Sequence, residues 1–359
     1  MTSRIVNRRQ LTDAERLKRK RYLNATLVTC AGLAMVGGSI HVIDLGHSRI
    51  FGEMRAKATY DLADEKLHIR AAGEDVTLHE RHEAGKIKTK DYSDSELISL
   101  VGTDVWADIN TQITIPAGEF KMGSDRVRTS EQNKPQHVTF LPEYQIDKYP
   151  TTNAQYARFV AEADYHPPLD WKKGHIPPDK ELHPVTMVSW YDAYNYCAWS
   201  GKRLPNESEW EKAARGVDGR RWPWGEDMNN DRLNTYYSIG STTPVTHFSD
   251  GVSSMGVMDM AGNVFEWMGN DFLPYDGSSA PKELFKGKRG VAASPADRAM
   301  KVVDLVGVDA NYKTLRGGSW KSDPFSTTTY HRNYSWPHYA SDFFGFRCAA
   351  DVTNEGPEI

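Results

Sequence analysis

The chain has 359 residues, 39% of them apolar, which is enough for one large domain plus accessory parts. A formal net charge of −4 and a pI near 6.3 exclude a global electrostatic case for binding nucleic acid. With 28 glycines, 18 prolines and 10 tryptophans, the composition points to a loop-rich, aromatic-heavy fold and away from a helical bundle.

Residues 1–23 form a basic segment that includes Arg8, Arg9, Lys18, Arg19, Lys20 and Arg21. From Tyr22 through Ile43 no formally charged residue occurs. At 1.5 Å per residue, about 20 residues cross the hydrocarbon core, so 24–45 is expected to be a single transmembrane helix. Its basic flank stays in the cytoplasm and places everything after Asp44 on the outer, periplasmic face of the inner membrane. A cleaved signal peptide is the rival reading, because Gly37, Gly38 and Ser39 are small enough for a signal protease. Ala34 and Gly38 have the small-xxx-small spacing that lets another helix approach closely. The span is thus either a packed helix among other membrane subunits or a plain tether. Residues 46–111 read as a linker with one or two small elements. His79 and His82 are spaced for a metal, but with no third ligand they are taken as part of a solvated helix.

The folded domain is expected over 112–352, followed by a tail at 353–359. Ile115–Gly123 reads as strand, turn and strand, and His137–Leu141 as a further strand. Thr152 with Gln155 has capping-box spacing ahead of Tyr156, Phe159 and Val160. Ser189 caps the next helix, whose Trp190, Ala193, Tyr194 and Cys197 are expected to share a core-facing side. Asn206, with Glu209 three residues on, caps a third helix that Gly216 ends.

Four phrases then arrive in order: GKRLPNESEWEKAARG at 201–216, DMAGNVFEW at 259–267, LRGGSW at 315–320 and GFRCAA at 345–350. Together with HPVTMVSWYDAYNYCAWSGKRLP at 183–205 and PWGED at 223–227, they resemble the formylglycine-generating, sulfatase-modifying enzyme family across about two-thirds of the chain. The resemblance implies an α+β fold with low regular secondary structure, similar in architecture to C-type lectins. It also implies a disulfide between Cys197 and Cys348, against the alternative of two buried free thiols. A second structural pair found in relatives falls on Ala214 and Arg332, so both of its cysteines are absent together.

In the family, Asp259 and Glu266 side chains and the carbonyls of Gly262 and Val264 correspond to a calcium site, and Ca2+ is the expected cofactor. Read from spacing alone, the two carboxylates around a glycine turn either hold a hard cation, or Asp259 caps the turn and Glu266 pairs with an arginine. The family's second calcium site falls near Asn234 and Thr235, where the match is loose. The two copper-binding catalytic cysteines fall on Ser322 and Thr327. Hydroxyls do not ionise near neutral pH and are poor ligands for Cu(I), so neither copper nor formylglycine generation is expected. Asp323, Tyr330, His331 and Arg332 either line a redesigned pocket or are ordinary polar residues of an aromatic-rich loop. The leading expectation is a non-catalytic accessory or structural subunit of a membrane protein complex. The alternative is an oxidoreductase or maturation factor acting on an exported peptide or small molecule.

Overall fold

Side chains that fold back onto the backbone begin the helices. Among the described residues, the four helices of eight or more residues are α1 (Asp94–Val101), α3 (Asn153–Glu162), α4 (Trp190–Trp199) and α5 (Glu207–Arg215). Each starts with a complete capping box, from Ser93–Glu96, Thr152–Gln155, Ser189–Asp192 and Asn206–Glu209 respectively. Each cap contributes about 1 kcal/mol. A shorter helix, α2 (Thr103–Ile109), follows α1. This computed structural model describes residues 91–285 and 312–352. The basic segment, the span at 24–45 with Ala34 and Gly38, the 46–90 stretch with its histidine pair, and the 353–359 tail lie outside the described residues. Among the described residues, no helix is long and apolar enough to cross a membrane.

Nine short strands make three sheets among the described residues. Strand β1 (Gln112–Ile115) pairs antiparallel with β4 (Tyr144–Asp147), which pairs antiparallel with the last strand, β9 (Ala349–Asp351). Strands β2 (Gly118–Met122) and β3 (His137–Leu141) form a separate antiparallel pair. The third sheet has the order β7 (Asn333–Ser335), β6 (Lys313–Arg316), β5 (Phe265–Asp271), β8 (Phe344–Gly345), with only β5 and β8 parallel. Strands and helices do not alternate as βαβ units, which is the expected α+β organisation.

Alternation works inward in β2, where Phe120 and Met122 are buried between exposed Glu119 and Lys121. In β3 it works outward, leaving Val138 62% and Phe140 63% exposed. The main core gathers Tyr156 and Phe159 of α3, Tyr196 and Cys197 of α4, Trp267 of β5, and Phe346 and Cys348. Cys197 and Cys348 form a disulfide with their Cα atoms 5.6 Å apart.

Two expectations are corrected. On α4 the buried stripe is Asp192, Ala193, Tyr196 and Cys197, while Tyr194 is half-exposed and stacks on Trp190. The helix is rotated because Asp192 is held inward by Ser189, Tyr165 and His166. The folded unit also begins before residue 112: Leu97 of α1 lies in the main core and Ile109 of α2 in a smaller cluster with Tyr149 and Met258. Each of these helices sends only one fully buried apolar side chain inward, too sparse a pattern to mark a core helix.

Candidate functional site around the GGS turn

Two glycines with positive φ, Gly317 and Gly318, turn the chain after β6. A side chain at Gly318 would meet Thr327 Cγ2 at 2.8 Å and the Ser326 carbonyl at 2.9 Å. The turn therefore closes directly on the 3-10 turn Pro324–Thr327. Ser322 Oγ accepts the Ser319 N–H at 2.9 Å and lies 3.1 Å from Ser319 Oγ. Thr327 Oγ1 donates to the Pro324 carbonyl at 2.8 Å and accepts from Trp222 Nε1 at 3.2 Å. Both side chains are buried, and both hydroxyls are used within the local fold. Asp323 caps the 3-10 turn, accepting from the N–H groups of Phe325 and Ser326 and from Ser326 Oγ. On the other side of Ser322, the buried Lys321 amine donates to both oxygens of Asp342, at 2.7 and 2.8 Å.

Arg332 does not face an open pocket. It forms a two-pronged pair with Glu207 at 2.7 and 2.8 Å, donates to the carbonyls of Gln132 and Leu273, and lies 4.0 Å from the Tyr275 ring centroid. Arg316 of β6 bonds Glu207, Glu211 and the Tyr275 hydroxyl. Glu211 also accepts from Arg215 and from the Gly123 N–H. Two carboxylates and three guanidinium groups thus form one buried network joining α5 to β6 and to Arg332, the residue just before β7. Burial pushes the Glu207 carboxyl up, but Arg332 and Arg316 together outweigh it and hold the group below the usual carboxylate range. Tyr330 is buried with its ring 5.6 Å from the Arg215 guanidinium. The His331 imidazole makes no hydrogen bond among the described residues. Desolvation, helped by Arg316 and opposed by Asp323, pulls it down to about 4. Of the four expected pocket residues, Asp323 and Arg332 are scaffolding, Tyr330 packs in the interior, and His331 keeps a free polar edge.

The 259–266 segment carries a second buried polar knot. Glu266 forms a two-pronged pair with Arg347 at 2.7 and 2.8 Å, and its Oε2 also accepts from Trp210 Nε1 at 3.0 Å. Asp259, with φ 57°, accepts from Asn263 Nδ2 at 2.7 Å. The arginine partner and the polar turn that spacing alone suggested are therefore both present. Burial pushes the Asp259 carboxyl up to about 7; Asn263 and Arg347 oppose the rise and Glu266 adds to it. Gly262 and Val264 are buried beside them, and a side chain at Gly262 would lie 2.2 Å from the Asn234 carbonyl oxygen. Around Asn263 two buried oxygens, Asn234 Oδ1 and Thr243 Oγ1, have no hydrogen-bond partner among the described residues.

The four sequence phrases thus serve geometry. EWEKAAR is a buried helix whose charges are all engaged, with Lys212 donating to the carbonyls of Pro116 and Gly118. The family pattern named Sulfatase-modifying factor enzyme 1-like domain matches residues 99–352. The chain belongs to this family. Serine/threonine-protein kinase Pkn1 of Chlamydia trachomatis serovar L2 is 34% identical over 260 residues, which cover 68% of this chain and only 39% of the kinase. Formylglycine-generating enzyme of Mycobacterium tuberculosis is 27% identical, covering 67% of this chain and 97% of that enzyme. The solved structure of PvdO from Pseudomonas aeruginosa superposes with a TM-score of 0.52 at 24% identity, covering 68% of this chain and 95% of PvdO, and shares the family fold. Within that family domain, the residues that sequence reading passed over are Glu207, Glu211, Arg316 and Arg347. For Glu207 and Glu211 the signal was a run of charges in one helix; Arg316 stands in the short strand β6 and Arg347 between β8 and β9, where there is no such run.

Proposed function

We propose that this chain is a membrane-anchored, outer-face accessory or structural subunit of a membrane protein complex, whose domain binds a partner and does not catalyse. The observation that carries the reading is the state of the two thiol positions. Ser322 and Thr327 offer buried hydroxyls already engaged in the turn, and hydroxyls are poor ligands for Cu(I). No copper step is assigned to them. The exposed apolar pair Val138 and Phe140 on β3 supports a docking role, since among the described residues β3 has a single neighbour and presents these side chains to the outside. The anchor at 24–45 would pack on other membrane subunits through Ala34 and Gly38. Blue-native electrophoresis of gently solubilised native membranes should find the chain in a discrete larger assembly. A solitary monomer that turns over a small thiol or phenol would overturn the reading in favour of an oxidoreductase.

A structural calcium ion at the Asn263 knot is part of the same proposal. Asp259, Glu266 and the carbonyls of Gly262 and Val264 would hold it. Two features support the fit. Asp259 is a buried carboxylate with no ion pair among the described residues, and the orphaned groups beside it are oxygens, the donors a hard cation takes. Glu266 Oε1 accepts one hydrogen bond and has capacity left. Calcium at 100 times its Kd adds about 2.7 kcal/mol, so Tm after chelation and calcium return should rise by ~5–10 °C. Asp259→Asn should abolish that rise, and equal Tm values in EDTA and in calcium would remove the ion from the proposal.

A further inference from the structure

Next to the vacated thiol positions stands an arginine whose guanidinium N–H groups meet no acceptor among the described residues. Arg221 has no ion pair and no side-chain hydrogen bond among the described residues, and its Nε is buried without an acceptor. Arg215 and Arg316 also have a buried unpartnered Nε, but their terminal nitrogens bind carboxylates and carbonyls. Arg221 lacks even those. Its neighbour Arg220 is paired with Asp218 at 3.0 Å, so the absence is particular to one residue and not to the loop.

The Arg221 guanidinium is held in place by aromatic contacts. It lies 4.6 Å from the Trp222 ring centroid and 5.7 Å from that of Phe325. Trp222 is buried and anchored through its indole N–H to Thr327, while Phe325 is 49% exposed. One wall is therefore fixed and the other opens outward. The backbone at Arg221 is fixed as well, since its carbonyl accepts from Thr329 N at 3.0 Å. Asp323, on the same 3-10 turn as Phe325, caps that turn through both carboxylate oxygens and makes no ion pair with Arg221 among the described residues. It is not the missing counter-charge. A buried guanidinium N–H without an acceptor costs free energy, and a planar fork between rings is pre-organised for two-pronged recognition of an oxyanion.

We propose that Arg221, between Trp222 and Phe325, anchors a binding site for the oxyanion group of a small ligand, a carboxylate or a phosphate. The site stands on the same 3-10 turn whose Thr327 replaces a family thiol, and it does not depend on whether the chain is an accessory subunit. Isothermal titration calorimetry of the full chain, at constant ionic strength, with inorganic phosphate and separately with benzoate, tests it. One-site saturable binding of at least one of the two is expected, and the stronger identifies the tetrahedral or planar oxyanion. Arg221→Gln should weaken binding by about tenfold or more, since hydrogen bonds to charged groups contribute ~1.5–3 kcal/mol. Arg221→Lys, which keeps the charge without the fork, should weaken it less. Arg220→Gln should leave it unchanged. No saturable binding of either probe, or equal binding by wild type and Arg221→Gln, would overturn the site. If Arg221→Gln does not fold, the comparison of Arg221→Lys with Arg220→Gln decides.

Discussion

Replacing Glu207 by alanine is expected to destabilise the domain by about 3–5 kcal/mol, the cost of leaving buried charge uncompensated. Domains as a class are stable by ~5–15 kcal/mol, so the variant should lose a large share of its margin. Glu207 neutralises Arg332 through two hydrogen bonds and Arg316 through one at 3.0 Å. Without it, Glu211 would be the remaining carboxylate facing Arg215, Arg316 and Arg332. The surroundings are aromatic: Phe272 is fully buried, and the Arg332 guanidinium lies 4.8 Å from its ring centroid and 4.0 Å from that of Tyr275. Removing charge from both sides, as in Glu207→Leu with Arg332→Leu, should recover part of the loss, because well-packed apolar replacements of a buried pair are often close to neutral. Urea midpoints at unchanged m-value are the measurement. A loss below about 1 kcal/mol for Glu207→Ala would place the pair in the class of exposed ion pairs and refute the network's structural role.

Cys348→Ala should have an effect of similar size. The bridge joins residues 151 apart, and loop-closure entropy for that span amounts to about 5 kcal/mol at 25 °C. Both cysteines are fully buried among Tyr156, Tyr196 and Phe346, so a reductant reaches the bond only when the domain opens. Dithiothreitol under native conditions should leave the urea midpoint of a freshly treated sample unchanged, while the same reagent in denaturant should prevent refolding. A Cys348→Ala variant with the wild-type midpoint would show that the aromatic core holds this region without the bridge.

Caps and glycine turns are local chemistry, and they were readable: Thr152, Ser189 and Asn206 each start the helix that their spacing predicts. The disulfide was readable only through family resemblance, because three cysteines allow more than one pairing and nothing in their spacing selects one. The Glu266–Arg347 pair shows why the site was less legible than the fold. Spacing gave Glu266 an arginine or a metal as alternatives, and the arginine that completes it is 81 residues away. Arg332 presents the same difficulty, since its partner Glu207 lies 125 residues earlier. Side chains that look like a pocket in one stretch of sequence are claimed by distant elements once the chain closes. Arg221 escaped notice for the opposite reason: it is distinguished by lacking partners, which no sequence pattern records.

Strands β8 and β9 fall within the last dozen residues of the family match, yet β8 completes the sheet built on β5 and β9 the sheet built on β1 and β4. Between them come Arg347 and Cys348, which close the Glu266 pair and the disulfide. A chain emerging from its N-terminal side would therefore have both sheets incomplete, one carboxylate unneutralised and one thiol unpaired until the final stretch arrived. Pairings that span most of the domain fold slowly, and here they are all deferred to the same moment. Completion of both sheets thus waits on the C-terminal edge, and a ribosome stall shortly before residue 344 would hold a species that presents Glu266 and Cys197 to whatever assists its folding.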